Sequence, residues 1–395
     1  MSVISADLVG DRDVIACAEA IRADVAAASD NIEMTRRLPP DLLDRLHEAR
    51  LFRLLLPRSS DGIETDPVTF FSRHRDHRQG RCLDGMVPEP GRRLRDVGGL
   101  SRPAGRTGDL CRSARGARLG PGAKGQSRGM RGRLPRHGRL VVRLRRPARH
   151  LARRPLPDLR GRRLAQRDAN GEQVERTMLV RTEDVEWTDI WNTVGLRGTA
   201  SDQFALNDFF VRSDHSITRE FDRECRETGP LYRMSAHTCY QVGFAGVACG
   251  IARSALDNFV DVARNKVPRG MKSPIRDNAV VQSGLAQAEV SLRAARAFLL
   301  QSMADIWKDL VAGHTITVAQ RMTIRMAATH AIHKAREAVD FAYNAAGATA
   351  IFEGHPLERR FRDIHTVTQQ LQGRLSHFET VGAWMLGADA DLAFV

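Results

Sequence analysis

Nowhere in its 395 residues does this chain run to 18 consecutive apolar residues, so no membrane-spanning helix is expected. Its first residues, MSVISADLVGDRDVIACAEA, lack the basic start and apolar core of a secretory signal. Cysteine is sparse too. The six (Cys17, Cys82, Cys111, Cys225, Cys239 and Cys249) include no C-x-x-C pair. That spacing argues against a zinc site and suits free thiols in a reducing compartment, so no metal is assigned and a cytoplasmic location is expected.

The sharpest absence is local. Between Ser72 and Arg167 there is not one Ile, Phe, Tyr, Trp or Asn, whereas those 96 residues hold 27 Arg, 15 Gly and 8 Pro. The segment carries 28 Lys+Arg against 6 Asp+Glu, and the whole chain is only +14, so everything else sums to −8. The basic pI therefore belongs to one stretch and says nothing of the protein's partners. A nucleic-acid arm would use arginine to neutralise phosphates. Single-strand and RNA binders, however, interleave aromatics for base stacking, and none is here. A disordered linker is a second reading, although 96 residues is long for an internal loop. A third reading accounts for more: GC-rich coding DNA translated in a shifted frame. Met86 followed by Val87 forces a Trp codon when the frame moves by one base. The same shift lets Gly138 through Arg154 be re-read as GGWSFASGVRHATWLGA, an ordinary protein string.

The flanks are conventional. Residues 11–56 read as helices, with Ile15, Ala18, Ile21 and Val25 on one face and a second helix starting at Leu38-Pro39-Pro40-Asp41. From Thr177 the pattern turns strand-like through Met178-Leu179-Val180, Val185-Glu186-Trp187, Gln203-Phe204-Ala205-Leu206 and Phe209-Phe210-Val211. Gly195-Leu196-Arg197-Gly198-Thr199-Ala200-Ser201 joins two of these strands. Its glycines permit close backbone approach and its hydroxyls can donate hydrogen bonds, while a plain turn is the simpler alternative. Beyond Pro230 the spacing predicts helices near 232–265, 277–312, 316–347 and 361–387. Such long amphipathic helices with short connections make a bundle.

Three strings in this order resemble the acyl-CoA dehydrogenase superfamily. They are Leu51-Phe52-Arg53-Leu54-Leu55-Leu56-Pro57, then Trp191 through Asp202 followed by Asn207-Asp208-Phe209-Phe210-Val211, and finally Asn344-Ala345-Ala346-Gly347-Ala348 with His355 through His365. The resemblance covers about 11–71 and 168–395 and implies an α+β, mainly α, fold. Its parts would be an N-terminal helical domain (1–71), the anomalous segment (72–167), the remainder of a largely disrupted central β domain (168–229) and a C-terminal four-helix bundle (230–395).

What the family implies is a flavin enzyme, a homo-oligomeric dimer or tetramer holding FAD, with FMN or reduced flavin as alternatives. Cofactor-binding positions would be Gly195, Arg197, Gly198, Thr199, Ser201, Asn344, Gly347, Arg359 and Arg362. Two chemistries are open. One is α,β-dehydrogenation of an acyl-CoA by a glutamate base with an electron-transfer partner. The other is hydroxylation of a small aromatic or heterocyclic compound by reduced flavin and oxygen, with flavin supplied by a reductase. This chain lacks the expected glutamate in both family locations, since Thr366 through Arg374 and Ser235 through Gly250 hold no carboxylate. That tilts the reading toward hydroxylation. A histidine that monooxygenase relatives carry near Gln370 is also missing, which leaves His365 and His377 as the nearest imidazoles and the candidate catalytic residues. His330 and His333 lie one turn apart without a third ligand, and read as structural. Arg359, Arg360 and Arg362 suit a flavin or CoA phosphate, or else ion pairs with Glu358 and Asp363. A non-catalytic or nucleic-acid-interacting protein is the rival class. If the frame is shifted, the polypeptide lacks part of its flavin-site wall and is expected to be impaired. Resequencing the coding DNA across Phe71 and Arg167 should reveal inserted or deleted bases; an intact frame at both points refutes the shift.

Overall fold

The computed structural model describes residues 11–72, 139–142, 176–178, 180–181, 184–205, 209–212, 216–218, 225–390 and 392. The readings made for 72–167 therefore lie outside the described residues, except at Ser72 and at one short strand.

Helices α1 (Asp11–Ala20) and α2 (Arg22–Thr35) lead into α3 (Pro40–Glu48), which begins on proline. At that position the missing N–H would have had no helical partner anyway. Ala18, Ile21, Val25, Leu42, Leu46 and Leu51 close a small core between these helices. The chain then doubles back, with Ile63 N–H donating to Arg53 O at 2.8 Å and Thr65 N–H to Leu54 O at 2.7 Å. Asp66 caps the next helix by accepting from Val68 N (2.8 Å) and Thr69 N (2.9 Å). That helix, α4 (Pro67–Ser72), delivers fully buried Phe71 into the main core.

Among the described residues, six short strands form three antiparallel pairs. They are β1 (Arg139–Val142) with β5 (Phe209–Arg212), β2 (Arg176–Met178) with β6 (Ser216–Thr218), and β3 (Glu186–Thr188) with β4 (Gln203–Ala205). Trp187 lies opposite Phe204, their rings 5.6 Å apart, so the β3–β4 register fixes both ends of the intervening loop.

The bundle comprises α5 (Ala236–Asn265), α6 (Ala279–Val311), α7 (Val318–Ala346) and α8 (Pro356–Thr368), followed by α9 (Ser376–Met385). Each of the three long helices has its own side-chain cap: Ser235 accepts from Thr238 N, Asn278 from Val280 N and Val281 N, and Thr317 forms a reciprocal capping box with Gln320. Ala327, Ala331, Ala335, Ala338 and Ala342 line α7 with small, buried side chains, which lets α5 lie close against it. Lys266, just beyond α5, donates to Ala346 O at the end of α7 (2.6 Å), so these two helices run parallel and finish together. Arg296 of α6 sits over the Phe71 ring, 4.9 Å from its centroid, and ties α4 to the bundle.

One predicted segment differs. The helix expected over 361–387 is two helices, because α8 starts earlier, at Pro356, and stops at Thr368. The chain reverses so tightly there that a Cβ on Gly373 would meet Thr368 O at 2.6 Å. A 3₁₀ turn (Leu371–Gly373) fills the gap before α9 and presents its residues to α5 and α7.

Candidate functional site

The loop from Asp189 to Asp202 departs from β3 and returns to β4, and it is held from two sides. On one side is α2 with the residues after it. Arg36 makes a two-pronged contact with Asp189 (2.8 and 2.6 Å), Arg37 reaches buried Asp202 (2.9 Å), and Arg197 Nε donates to Glu33 O (3.2 Å). The Arg36 guanidinium holds the Asp189 carboxyl below its ordinary range. On the other side is α8. Asp363 accepts from Leu196 N at 2.7 Å, and Arg362 donates to Val194 O at 2.6 Å. Glu33 binds Arg362 at 2.6 Å and lies 3.6 Å from Arg197, so one carboxylate joins α2, the loop and α8.

The loop's glycines serve that clamp. A Cβ on Gly195 would sit 2.3 Å from Arg362 O, and one on Gly198 would sit 2.4 Å from the Ile32 side chain. The close approach expected from sequence is thus made to the protein's own helices. This is no simple turn either. Leu196 (φ 51°) and Ala200 (φ 44°) adopt left-handed backbone around the 3₁₀ turn Arg197–Thr199. That conformation costs roughly 1–3 kcal/mol for each non-glycine residue and persists only where surrounding contacts impose it. Trp191 Nε1 (3.1 Å) and Thr199 Oγ1 (2.9 Å) both donate to Leu196 O and supply part of that constraint.

Asp363 lies well inside α8, which begins seven residues earlier, at Pro356. Burial pushes its carboxyl pKa up, while neighbouring Arg360 (3.4 Å) and the Leu196 amide pull it back. Arg360 is itself buried and donates to Ser254 Oγ of α5 (3.1 Å). Removing one partner of such a buried pair typically costs about 3–5 kcal/mol, because the other charge is stranded. Arg359 pairs with Asp30 (2.6 Å), and Arg362 is chelated by Glu358.

A second polar cluster surrounds the turn that follows α8. Thr329 of α7 donates its hydroxyl to Gln372 O (3.2 Å) and also contacts His377 Nδ1 (3.0 Å). A hydroxyl has one proton to give, so His377 must donate from Nδ1 for both bonds to exist. His377 is held neutral: burial, with Arg325 and Arg374 nearby, lowers its pKa to about 4. His333 Nε2 bonds Gly373 O (2.9 Å), and Gln370 Oε1 accepts from Gln372 N (2.6 Å), which fixes the turn completely. Two carbonyl oxygens are left over. Gln241 Oε1 on α5 and Gln372 Oε1 are both buried and have no hydrogen-bond partner among the described residues. Each such orphan costs about 1–3 kcal/mol.

The remaining candidates sit elsewhere. His365 bonds Asp340 (2.9 Å) and packs against Phe361, whose ring stacks on Tyr343 at 4.2 Å. Asp340 lies eleven residues along α7 from Thr329, or about 16 Å at helical rise, so His365 and His377 do not share a site. Asn344 donates to Asp340 O (2.8 Å), and Gly347 (φ 60°) ends α7 near Lys266. Among the described residues no three His, Cys, Asp or Glu side chains gather as a metal would need. Burial pushes the Cys249 thiol up to about 12, which leaves it unreactive.

These surroundings bear on a flavin. Arg197, Arg359 and Arg362 are each engaged by carboxylates of α2 or α8, so they do not offer an open phosphate cradle in this arrangement. The half-buried Ser201 hydroxyl makes no hydrogen bond among the described residues and fits better. The orphan glutamine oxygens fit the polar edge of a ring system. Sequence reasoning missed Glu33, Gln241, Thr329 and Gln372. A signal did exist for the clamp: Arg360 sits in register with Leu357, Ile364 and Val367 on the buried face of α8.

Two outcomes follow for this region. Gly195→Ala should destabilise by about 1–3 kcal/mol in denaturant titration, since the colliding atom is backbone and cannot move aside; an unchanged midpoint would contradict the clamp. For His377 the folded pKa of about 4 lies below the ordinary 6.5, so the unfolded chain binds the extra proton. Its contribution is intact above pH 6.5 and is lost as pH falls toward 4. His377→Gln should therefore show a flatter stability profile than wild type across that window, and parallel profiles would refute the assignment.

Residues 242–372 match the acyl-CoA dehydrogenase C-terminal domain family. The chain is 28% identical over 230 residues to indole-3-acetate monooxygenase of Pseudomonas putida, a match covering 58% of this chain and 59% of that protein. It is 29% identical over 196 residues to the flavin-dependent monooxygenase oxygenase subunit HsaA of Rhodococcus jostii, covering 48% and 51% respectively. The chain thus spans about half the length of the curated relatives it matches. Its fold is similar to that of XiaF from Streptomyces sp., solved with FADH2 and glycerol, at a TM-score of 0.73 and 21% identity, over 97% of both chains. The family resemblance thus rests on the C-terminal bundle, where residues 242–372 are similar to the acyl-CoA dehydrogenase C-terminal domain.

Proposed function

We propose that this protein is the oxygenase component of a two-component monooxygenase, which hydroxylates a small aromatic or heterocyclic compound using reduced flavin from a separate reductase. One observation carries the choice over dehydrogenation. The buried polar side chains around the turn after α8 are amide, hydroxyl, imidazole and guanidinium groups, with no carboxylate. The buried carboxylates among the described residues are Asp202 and Asp363, both committed to the loop clamp. Abstracting a proton next to a thioester needs a base that is ionised and positioned, and neither amide can serve. Relatives that are named monooxygenases, one of them an oxygenase subunit, support the same reading.

Flavin, when bound as FADH2 or FMNH2, supplies the two electrons that send one oxygen atom to the substrate and the other to water. The chain's share is binding and orientation. Ser201 offers a hydroxyl to the cofactor, and Asn344 and Gly347 remain candidate contacts. His377 stays neutral and gives no proton at ordinary pH, so its part is to hold the turn. As an assembly, a homo-oligomer fits the family, and the proposed location is the cytoplasm. We also infer that the shifted segment leaves the chain holding less than one flavin.

The test supplies purified protein with excess FMNH2 or FADH2, labelled oxygen and indole-3-acetate or simple phenols. Labelled oxygen in the product is expected, together with substoichiometric flavin on isolation. Reduction of an artificial acceptor by an acyl-CoA, with no oxygenated product, overturns the proposal. Stoichiometric flavin in soluble protein overturns the inferred impairment alone.

A further inference from the structure

The α2–α3 hairpin meets the rest of the protein through apolar packing at its base and through charge at its tip. Asp24 near the start of α2 pairs with Arg45 near the end of α3 (2.6 Å), so the two helices run antiparallel and the turn at 36–39 is the tip. The 14 residues of α2 set that tip about 21 Å from the base. Near the base, Val14 and Leu54 are buried in the core of the bundle. At the tip, α2 presents two acids and then two bases. Asp30 meets Arg359 (2.6 Å), Glu33 meets Arg362 (2.6 Å), Arg36 meets Asp189 (2.6 Å) and Arg37 meets Asp202 (2.9 Å). A slipped register would set like charges together, so the pattern specifies one docking position. Every pair keeps a partner partly open to solvent, from Glu33 at 22% to Asp30 at 77%. Apolar contact does not fuse the two sides. Ile32 packs on the small core of α1–α3, whereas Leu196 packs on the bundle core. Opposite Ile32 stands Gly198, which has no side chain to offer.

The loop's other anchor is of a different kind. Leu196 N–H reaches the Asp363 carboxylate, whose side chain is 6% exposed beside Arg360 at 8%. Salt weakens exposed pairs and barely touches buried ones. Between the two anchors lies Ala200, whose left-handed backbone (φ 44°) persists only while the contacts around it hold. We propose that the α2–α3 hairpin is an electrostatically latched strap: it pivots at its buried base, and salt frees its tip from the loop and α8, releasing residues 197–202 while Leu196 stays bound to Asp363. Ser201 lies in the released segment, so the latch governs where its hydroxyl stands. The device is independent of the reaction the protein performs.

The test is residue-resolved hydrogen exchange on the full-length protein at low and high sodium chloride. The amides of Thr199 and Ala200, which now donate within the turn, should exchange about tenfold faster at about 1 M salt than at about 0.05 M. Those of Leu196 and of Ala331 and Ala335 in α7 should change by less than about twofold, since their partners are buried. Two sets of variants isolate the latch. A Cβ at 198 would lie 3.9 Å from Ile32 Cβ, within disulfide range, so oxidised Ile32→Cys/Gly198→Cys protein should lose the salt response and regain it on reduction. Arg36→Asp should exchange fast already at low salt, and adding Asp189→Arg should restore protection. The charge-reversal pair decides the matter if the cysteine pair fails to fold. Several results overturn the proposal: no salt response, equal acceleration across α7, release of Leu196 together with its neighbours, a locked protein as responsive as wild type, or reversal without rescue.

Discussion

The hydrogen bond from the Leu196 amide to the buried carboxylate of Asp363 joins the β region to the bundle, and much of the site's geometry descends from it. A charged group at that depth persists only because Arg360 lies beside it and a backbone N–H points at it. Around this bond the loop takes two left-handed residues and presses Gly195 onto the backbone of α8. Glu33 then fastens α2 to both partners. The result is a joint of paired opposite charges in which nearly every guanidinium has a carboxylate.

The turn after α8 is organised differently. Small alanines bring α5 and α7 together along most of their length, so the core is apolar until the turn after α8 interrupts it. Polar groups appear there as amides, a hydroxyl and a neutral imidazole. Buried carboxylates are confined to the joint among the described residues, whereas the charges near the turn are the buried Arg325 and the exposed Arg374. This division sets a charged joint beside the β region apart from a largely neutral polar turn after α8.

Much of this was legible in the sequence, though unevenly. The 3/4 spacing of Leu285, Ala288, Leu292, Ala295 and Leu299, and of Ile324, Ala327, Ala331, Ala335 and Ala338, announced the long helices, because burial on one helical face leaves a periodic trace. The break at Gln369 to Leu375 left none, since it depends on a local reversal that only Gly373 permits. The arginines at 359, 360 and 362 stood out as a cluster, and their local ion pairs with Glu358 and Asp363 were open from the sequence, but Asp30 and Glu33, which also hold Arg359 and Arg362, lie 329 residues away and had no local signature. The glycines of the loop declared a close approach without saying to what. Gln241 and Gln372 were silent altogether, because glutamine in a helical pattern ordinarily marks the solvent side.

The joint also has a temporal meaning. Glu33 and Arg362 are 329 positions apart, and Leu196 and Asp363 are 167 apart, so neither contact can form until long stretches of chain have been brought together. The bundle helices, whose ends meet at Lys266 and Ala346 across a separation of 80 residues, can assemble first. The loop closes last on folding and, by the same logic, is the first region to open when the protein fluctuates.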